Sequence, residues 1–105
     1  MRYPWQITIW GVRGSFPMAR PDYMTYGGNT SCVSAERGGA FVVLDAGSGL
    51  AQLGDYLLAQ ETAGTAETGQ TATKRCLPAS DTGRKRVDIL ISHMHLDHVM
   101  GLFSF

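Results

Sequence analysis

Apolar and polar residues alternate through "QITIWG" (Gln6 to Gly11), and this period of two, with its β-branched and aromatic content, predicts a half-buried strand. "SCVSAE" (Ser31 to Glu36), a "RGG" turn and "AFVVLDAG" (Ala40 to Gly47) predict a hairpin whose second strand is apolar enough to be buried on both faces. In "SGLAQLGDYLLAQ" the residues Leu50, Leu53, Tyr56, Leu57 and Leu58 fall near helical spacing, which predicts one amphipathic helix with Ser48 as its cap. "VDILIS" (Val87 to Ser92) is the last predicted strand. Between the first strand and the hairpin, Gly14, Pro17, Pro21, Gly27 and Gly28 break every regular pattern and leave a long irregular loop. Loops of that length ordinarily carry a function or are disordered.

One stretch departs from this order. From Glu61 to about Arg86 the chain is rich in Thr, Ala and Gly with almost no large apolar residue, so it cannot offset its ordering entropy by burial and reads as a mobile insertion. Its basic end, "GRKR", has no interleaved aromatic residues and gives no strong nucleic-acid signal. The length of 105 residues allows one domain. Hydrophobic content of 44% and a net charge of zero fit an ordinary globular chain and provide no electrostatic attraction to nucleic acid or anionic lipid. Cys32 and Cys76 form no CxxC pair, which argues for free thiols in a reducing compartment rather than a disulfide scaffold. The N-terminus lacks the features of a signal peptide, and no apolar run reaches the roughly 18 residues of a membrane span. These features together predict a cytoplasmic protein. The ending "GLFSF" leaves two Phe and a Leu with nothing downstream to receive them, as in a chain cut from a longer one.

The candidate chemistry lies in "ISHMHLDHVMG", which holds all three histidines of the chain, His93, His95 and His98, with Asp97 among them. Residues two apart on an extended backbone point to one side, so His93 and His95 can share a focus at the end of the last strand. A helix starting after Leu96 would put Asp97 and His98 in its first turn. A lone histidine is ordinarily a surface residue or a satisfied core residue. Three imidazoles packed together without a metal would repel when charged, or leave nitrogens unpaired when buried, so a shared ion is the more economical account. Imidazole and carboxylate ligands suit zinc, and also manganese or iron, and several so close point to two divalent ions.

"HMHLDH" matches the HxHxDH signature of the metallo-β-lactamase superfamily of metal-dependent hydrolases. "GVRGSFP", "YGGNTSCV", "LDAGSGL" and "DILISHMHLDHVMGL" resemble the N-terminal half of the branch that contains ribonuclease Z-like and cyclic-nucleotide phosphodiesterase-like proteins. The resemblance covers about three quarters of the chain, with Glu61 to Arg86 outside it. It implies an α/β fold, the N-terminal half of an αββα sandwich, with a mixed or antiparallel sheet and one or two helices. It further implies that His93 and His95 ligate a first metal and Asp97 and His98 a second, with Asp97 orienting the nucleophile. Asp45 falls on the family's strand-end aspartate and would orient the site from behind its ligands, against the plainer reading of a strand-to-turn aspartate bonding its own backbone. Gly47 and Gly49 serve the turn beside it. Asn29 and Thr30 would contact substrate or the metal loop, although Gly-Asn-Thr is also ordinary turn chemistry.

The family also needs a further histidine, a bridging aspartate and a last histidine, and after His98 this chain has no His, Asp or Glu. The expectation is therefore the N-terminal part of a longer hydrolase acting on a small-molecule or nucleotide phosphodiester, with a homo-oligomer left open. The alternative is a catalytically inactive metal-binding or interaction fragment. A third reading takes "LDAGSGLAQLG" as a phosphate-cradling loop, but it lacks both GxGxxG and GK[ST].

Overall fold

The computed structural model describes residues 3–66 and 86–105. Strands β1 (Gln6–Gly11), β2 (Cys32–Arg37) and β3 (Ala40–Leu44) form an antiparallel meander, and β4 (Asp88–Leu90) lies parallel to β3. The sheet order is β1-β2-β3-β4. A tight turn serves the antiparallel pair β2–β3, where Gly38 takes the left-handed conformation with φ 57°. A parallel pair instead requires a crossover, and helix α1 (Leu50–Ala66) begins the one between β3 and β4. After β4 come a single helical turn, α2 (Leu96–Val99), and a 3-10 segment over Met100–Ser104. The fold is mixed α/β with a mixed sheet, and both predicted helical regions are present.

Helix α1 covers one face of the sheet because its apolar positions recur at helical spacing. Leu50 and Leu53 are fully buried against Phe41, Val43, Cys32 and Ala46, with Tyr56, Leu57, Trp10 and Ile89 packed around them. Burial of each such Leu or Phe contributes about 1.5–3 kcal/mol. Leu58, one step off the stripe, faces outward. Among the inward-facing residues, Trp10 donates its indole N–H to the buried Ser34 hydroxyl at 2.8 Å and stacks on Tyr56.

Several expectations are corrected. The helix does not stop near Gln60 but continues to Ala66, so the first residues of the stretch beginning at Glu61 are helical. Low apolar content forbids burial, but extending an existing helix needs only one more hydrogen bond per residue fixed. Positions 67–85, with Cys76 and most of the expected insertion, lie outside the described residues. Ser48 does not spend its side chain on the helix. Its hydroxyl accepts the Thr30 N–H at 2.9 Å and faces the Asn29 side-chain oxygen at 3.1 Å. The last strand is shorter than Val87 to Ser92.

β3 is not buried on both faces. Phe41 and Val43 point into the core, whereas Leu44 is 46% exposed. The register aligns Ile7, Ala35 and Val42 in one row and Ile9, Val33, Leu44 and Leu90 in the next, all on the face opposite α1. With Ile7 at 59%, Ile9 at 64% and Leu90 at 57% exposure, this face is an open apolar surface. The alternation in "QITIWG" thus marks a strand whose isoleucines face away from the core. Among the described residues, no helix is long and apolar enough to cross a membrane.

Gly47, in the turn after β3, sits where α2 and the segment leading into β2 close on the backbone. A Cβ there would run into Thr30 Oγ1 and the carbonyl oxygens of Asp97 and Ser31. Gly47→Ala is expected to destabilise the chain by about 1–3 kcal/mol or more in urea unfolding, whereas Gly39→Ala, with open space around it, should stay within about 0.5 kcal/mol of the parent.

Candidate metal centre

Two parallel strands end side by side, β3 at Leu44 and β4 at Leu90, which are register partners. Ligands of open α/β sheets bind outside such carboxyl ends. The ladder continues one step further, with Asp45 N–H donating to the Leu90 carbonyl at 2.9 Å. Asp45 then turns into the left-handed region, φ 63°, and its carboxylate swings across to the exit of β4. There Oδ1 accepts the Ser92 N–H at 2.7 Å, and the Ser92 hydroxyl lies 2.8–2.9 Å from both carboxylate oxygens. Oδ2 lies 2.8 Å from His98 Nδ1. The following residues hold α2 by its backbone: Ala46 N–H donates to the His98 carbonyl and Gly101 N–H to the Ala46 carbonyl, both at 2.8 Å.

Counting donors fixes how two of the rings are presented. A carboxylate only accepts, so the His98 Nδ1 facing Asp45 carries a proton. Ser92 has one hydroxyl proton and gives it to Asp45, so His93 Nδ1, 3.0 Å from the Ser92 oxygen, is the donor in that pair. In the neutral rings both Nε2 atoms are then left with lone pairs, the arrangement found in metal-ligating histidines whose other nitrogen is held by a carboxylate.

His98 Nε2 faces Asp97 Oδ2 at 3.3 Å. A lone pair and a carboxylate oxygen at that separation repel unless a proton or a cation lies between them. Asp97 is itself held in place, its Oδ2 accepting the Ser15 N–H at 2.9 Å. The His93 ring lies 4.6 Å from that of His95 and 4.1 Å from that of His98, centroid to centroid. His93, His95, Asp97 and His98 therefore share one space, with Asp45 behind them.

The donor types fit a divalent ion of the zinc class. Two imidazoles on one tetrahedral ion, with metal–nitrogen bonds of about 2.0–2.1 Å, stand with their centroids about 5 Å apart. The observed rings pack slightly closer than that. Among the described residues, no group of three or more His, Cys, Asp or Glu side chains is placed to hold a metal ion. Cys32 stays outside the centre: burial, and then the charge of Asp45, push its thiol up to about 11, so it is a neutral core side chain.

Asn29 and Thr30 hold the site's supporting loop. Thr30 is fully buried, its hydroxyl accepts the Ser48 N–H at 2.7 Å, and the Asn29 carbonyl accepts the Arg13 N–H at 3.0 Å. Thr30 therefore offers no surface to a substrate in this conformation. The sequence pattern does not single out Ser15 or Ser92. The only signals were the length of the loop containing Ser15 and the position of Ser92 just before His93. Ser15 and Asp45 are the non-glycine residues of positive φ among the described residues, and both bond into this cluster. Such backbone strain concentrates at functional sites.

Both carboxylates titrate below their ordinary range. For Asp45, burial works to raise the pKa, and the Ser92 N–H, His98 and the Ser92 hydroxyl together outweigh it. For Asp97 the Ser15 N–H leads the lowering, desolvation opposes it, and His98 and His95 add to it. A carboxyl lowered on folding contributes stability that is present above its unfolded pKa near 4 and is lost as pH falls through the folded value. Asp45→Asn tolerates the left-handed backbone but removes the charge. It is expected to cost about 1–2 kcal/mol at pH 7 in chemical unfolding, with the gap to the parent closing as the pH drops below about 4. No family model matches the chain, and no curated protein or solved structure matches it, so the functional reading rests on the residues and their geometry.

Proposed function

We propose that this chain carries part of the metal centre of a metal-dependent hydrolase of the metallo-β-lactamase superfamily, of the ribonuclease Z-like and cyclic-nucleotide phosphodiesterase-like branch, acting on phosphodiester bonds. The observation that carries the reading is His98 set between two carboxylates, its Nδ1 given to Asp45 and its Nε2 turned to Asp97. A metal ion accounts for that second contact, and the same ion space is bordered by His93 and His95. The open apolar rows of the sheet also support the reading, because half of a two-sheet sandwich leaves one such face uncovered.

Two divalent ions, zinc by the ligand chemistry with manganese or iron(II) as alternatives, would supply an acidified water as nucleophile and positive charge for the developing transition state. The chain's own residues do the positioning. His93 and His95 would hold one ion, and Asp97 and His98 the other. Asp45 keeps His98, and through Ser92 also His93, in the tautomer that offers Nε2. The Ser15 N–H keeps Asp97 ionised and aimed at the same space, where it orients the nucleophile. A catalytically inactive metal-binding or interaction fragment is the second reading, favoured by the absence, among the described residues, of three side chains placed to hold one ion.

Zinc titrated into the chain is expected to bind, with affinity falling about 10–100-fold in Ser92→Ala and further in His95→Ala. Full-length protein is expected to hydrolyse a chromogenic phosphodiester and to lose that activity on chelation or in His95→Ala. Activity indifferent to both treatments overturns the hydrolase reading. Tight zinc binding without turnover selects the fragment.

A further inference from the structure

The turn that carries Ser15 needs an anchor of its own. Ser15 lies in the left-handed region at φ 69°, which a residue with a Cβ ordinarily leaves, and leaving it would rotate the peptide whose N–H bonds Asp97. Side-chain packing does not hold the turn. Val12 is 50% and Phe16 61% exposed, and a Cβ on Gly14 would meet nothing within 4 Å. The Phe16 N–H donates to the Gly14 carbonyl at 2.8 Å, a bond that closes the turn on itself without fixing it to the rest of the fold.

Arg13 supplies what packing does not. Its backbone is tied to the segment leading into β2, its N–H donating to the Asn29 carbonyl at 3.0 Å and its position forming a parallel bridge with Thr30. Its side chain then reaches across the turn. Nε donates to the Phe16 carbonyl at 2.6 Å, a charge-assisted bond, and the guanidinium lies over the Tyr23 ring, 4.2 Å from the centroid. Tyr23 closes the 3-10 turn Pro21–Tyr23, so one side chain joins the near end of the Ser15 turn, its far end and the returning limb of the loop. Both contacts require a planar guanidinium, with an N–H in the plane for the carbonyl and a face for the ring. Lysine keeps the charge but has neither a donor at that point of the side chain nor a face to stack.

We propose that Arg13 is a positioning residue for Asp97, holding through the Phe16 carbonyl the turn whose Ser15 N–H fixes that carboxylate. Its consequence for metal binding rests on the metal-centre reading above, whereas its hold on the Ser15 amide does not.

The test follows amide hydrogen exchange by NMR in the metal-free chain. Arg13→Lys, and independently Tyr23→Ala, should speed exchange of the Ser15 amide about tenfold or more, the size of one hydrogen bond to a charged group, and leave the β2 and β3 amides unchanged. In Asp97→Ala the acceptor of the Ser15 N–H is gone, so adding Arg13→Lys should speed that amide no further. Unchanged Ser15 exchange in both variants, an equal acceleration by Arg13→Lys with and without Asp97, or loss of protection throughout β2 and β3 in both variants overturns the assignment. Zinc titration of the same samples separates the two proposals. Arg13→Lys should bind zinc about tenfold more weakly than the parent, as on loss of a group that orients a ligand. Equal zinc affinity with the Ser15 amide freed overturns the assignment, because Asp97 is then placed without Arg13. No zinc bound by the parent defeats the metal centre, while Ser15 exchange still decides for or against Arg13.

Discussion

The Asp45 carboxylate is the contact on which the rest of the site depends. It belongs to the residue that follows β3, yet its partners are the first hydroxyl past β4 and a ring on α2, 47 and 53 positions further along the chain. Hydrogen bonds to a charged acceptor contribute about 1.5–3 kcal/mol each, roughly twice the neutral kind. The adjoining backbone reinforces the same junction, since Ala46 donates to the His98 carbonyl and accepts from the Gly101 N–H, bonds that fix α2 against the turn. Folding and ring orientation are in this sense one event: whatever loosens the turn after β3 also releases His98.

That junction explains why a helix of only four residues, with no side-chain cap at its N-terminus, has a defined position. An isolated turn of helix does not persist, because nucleation is unfavourable. Here the turn is anchored at the His98 carbonyl, the His98 ring and the Asp97 carboxylate, and Gly47 permits the close approach because it has no Cβ. The resulting concentration of like-charged carboxylates around one imidazole is unfavourable without a positive charge, which a second proton on the ring or a bound cation would supply.

The sheet is one-sided in its packing. α1 provides a core for one face, and the other presents two rows of Ile, Val, Ala and Leu. The histidine–carboxylate cluster lies at the edge of this arrangement, on the segments that follow β3 and β4 and on α2, and its side chains are oriented by bonds from the rigid ladder. Loops positioned by a rigid scaffold are where binding and chemistry ordinarily reside.

Much of the scaffold was legible because it is periodic. The period of two in β1, the hairpin over "RGG" and the stripe of Leu50, Leu53 and Tyr56 follow from backbone geometry and need no knowledge of the rest of the chain. The proximity of the four polar side chains of "HMHLDH" was legible for another reason: they are neighbours in sequence, and a helical turn soon after a strand keeps them together. The helix end at Ala66 was not, since a stretch too polar to bury can still continue a helix. Nor was the side of the sheet that lies open, because alternation defines two faces without saying which one α1 covers. Only the tertiary structure decided that Ser48 bonds Thr30 instead of capping α1, that Ser15 reaches Asp97 across 82 positions, and that Ser92 joins Asp45 across 47. The physical reason is that a hydroxyl or an amide has many partners of similar strength within reach of an unfolded chain, and the choice among them is made by what the packed backbone leaves within 3 Å.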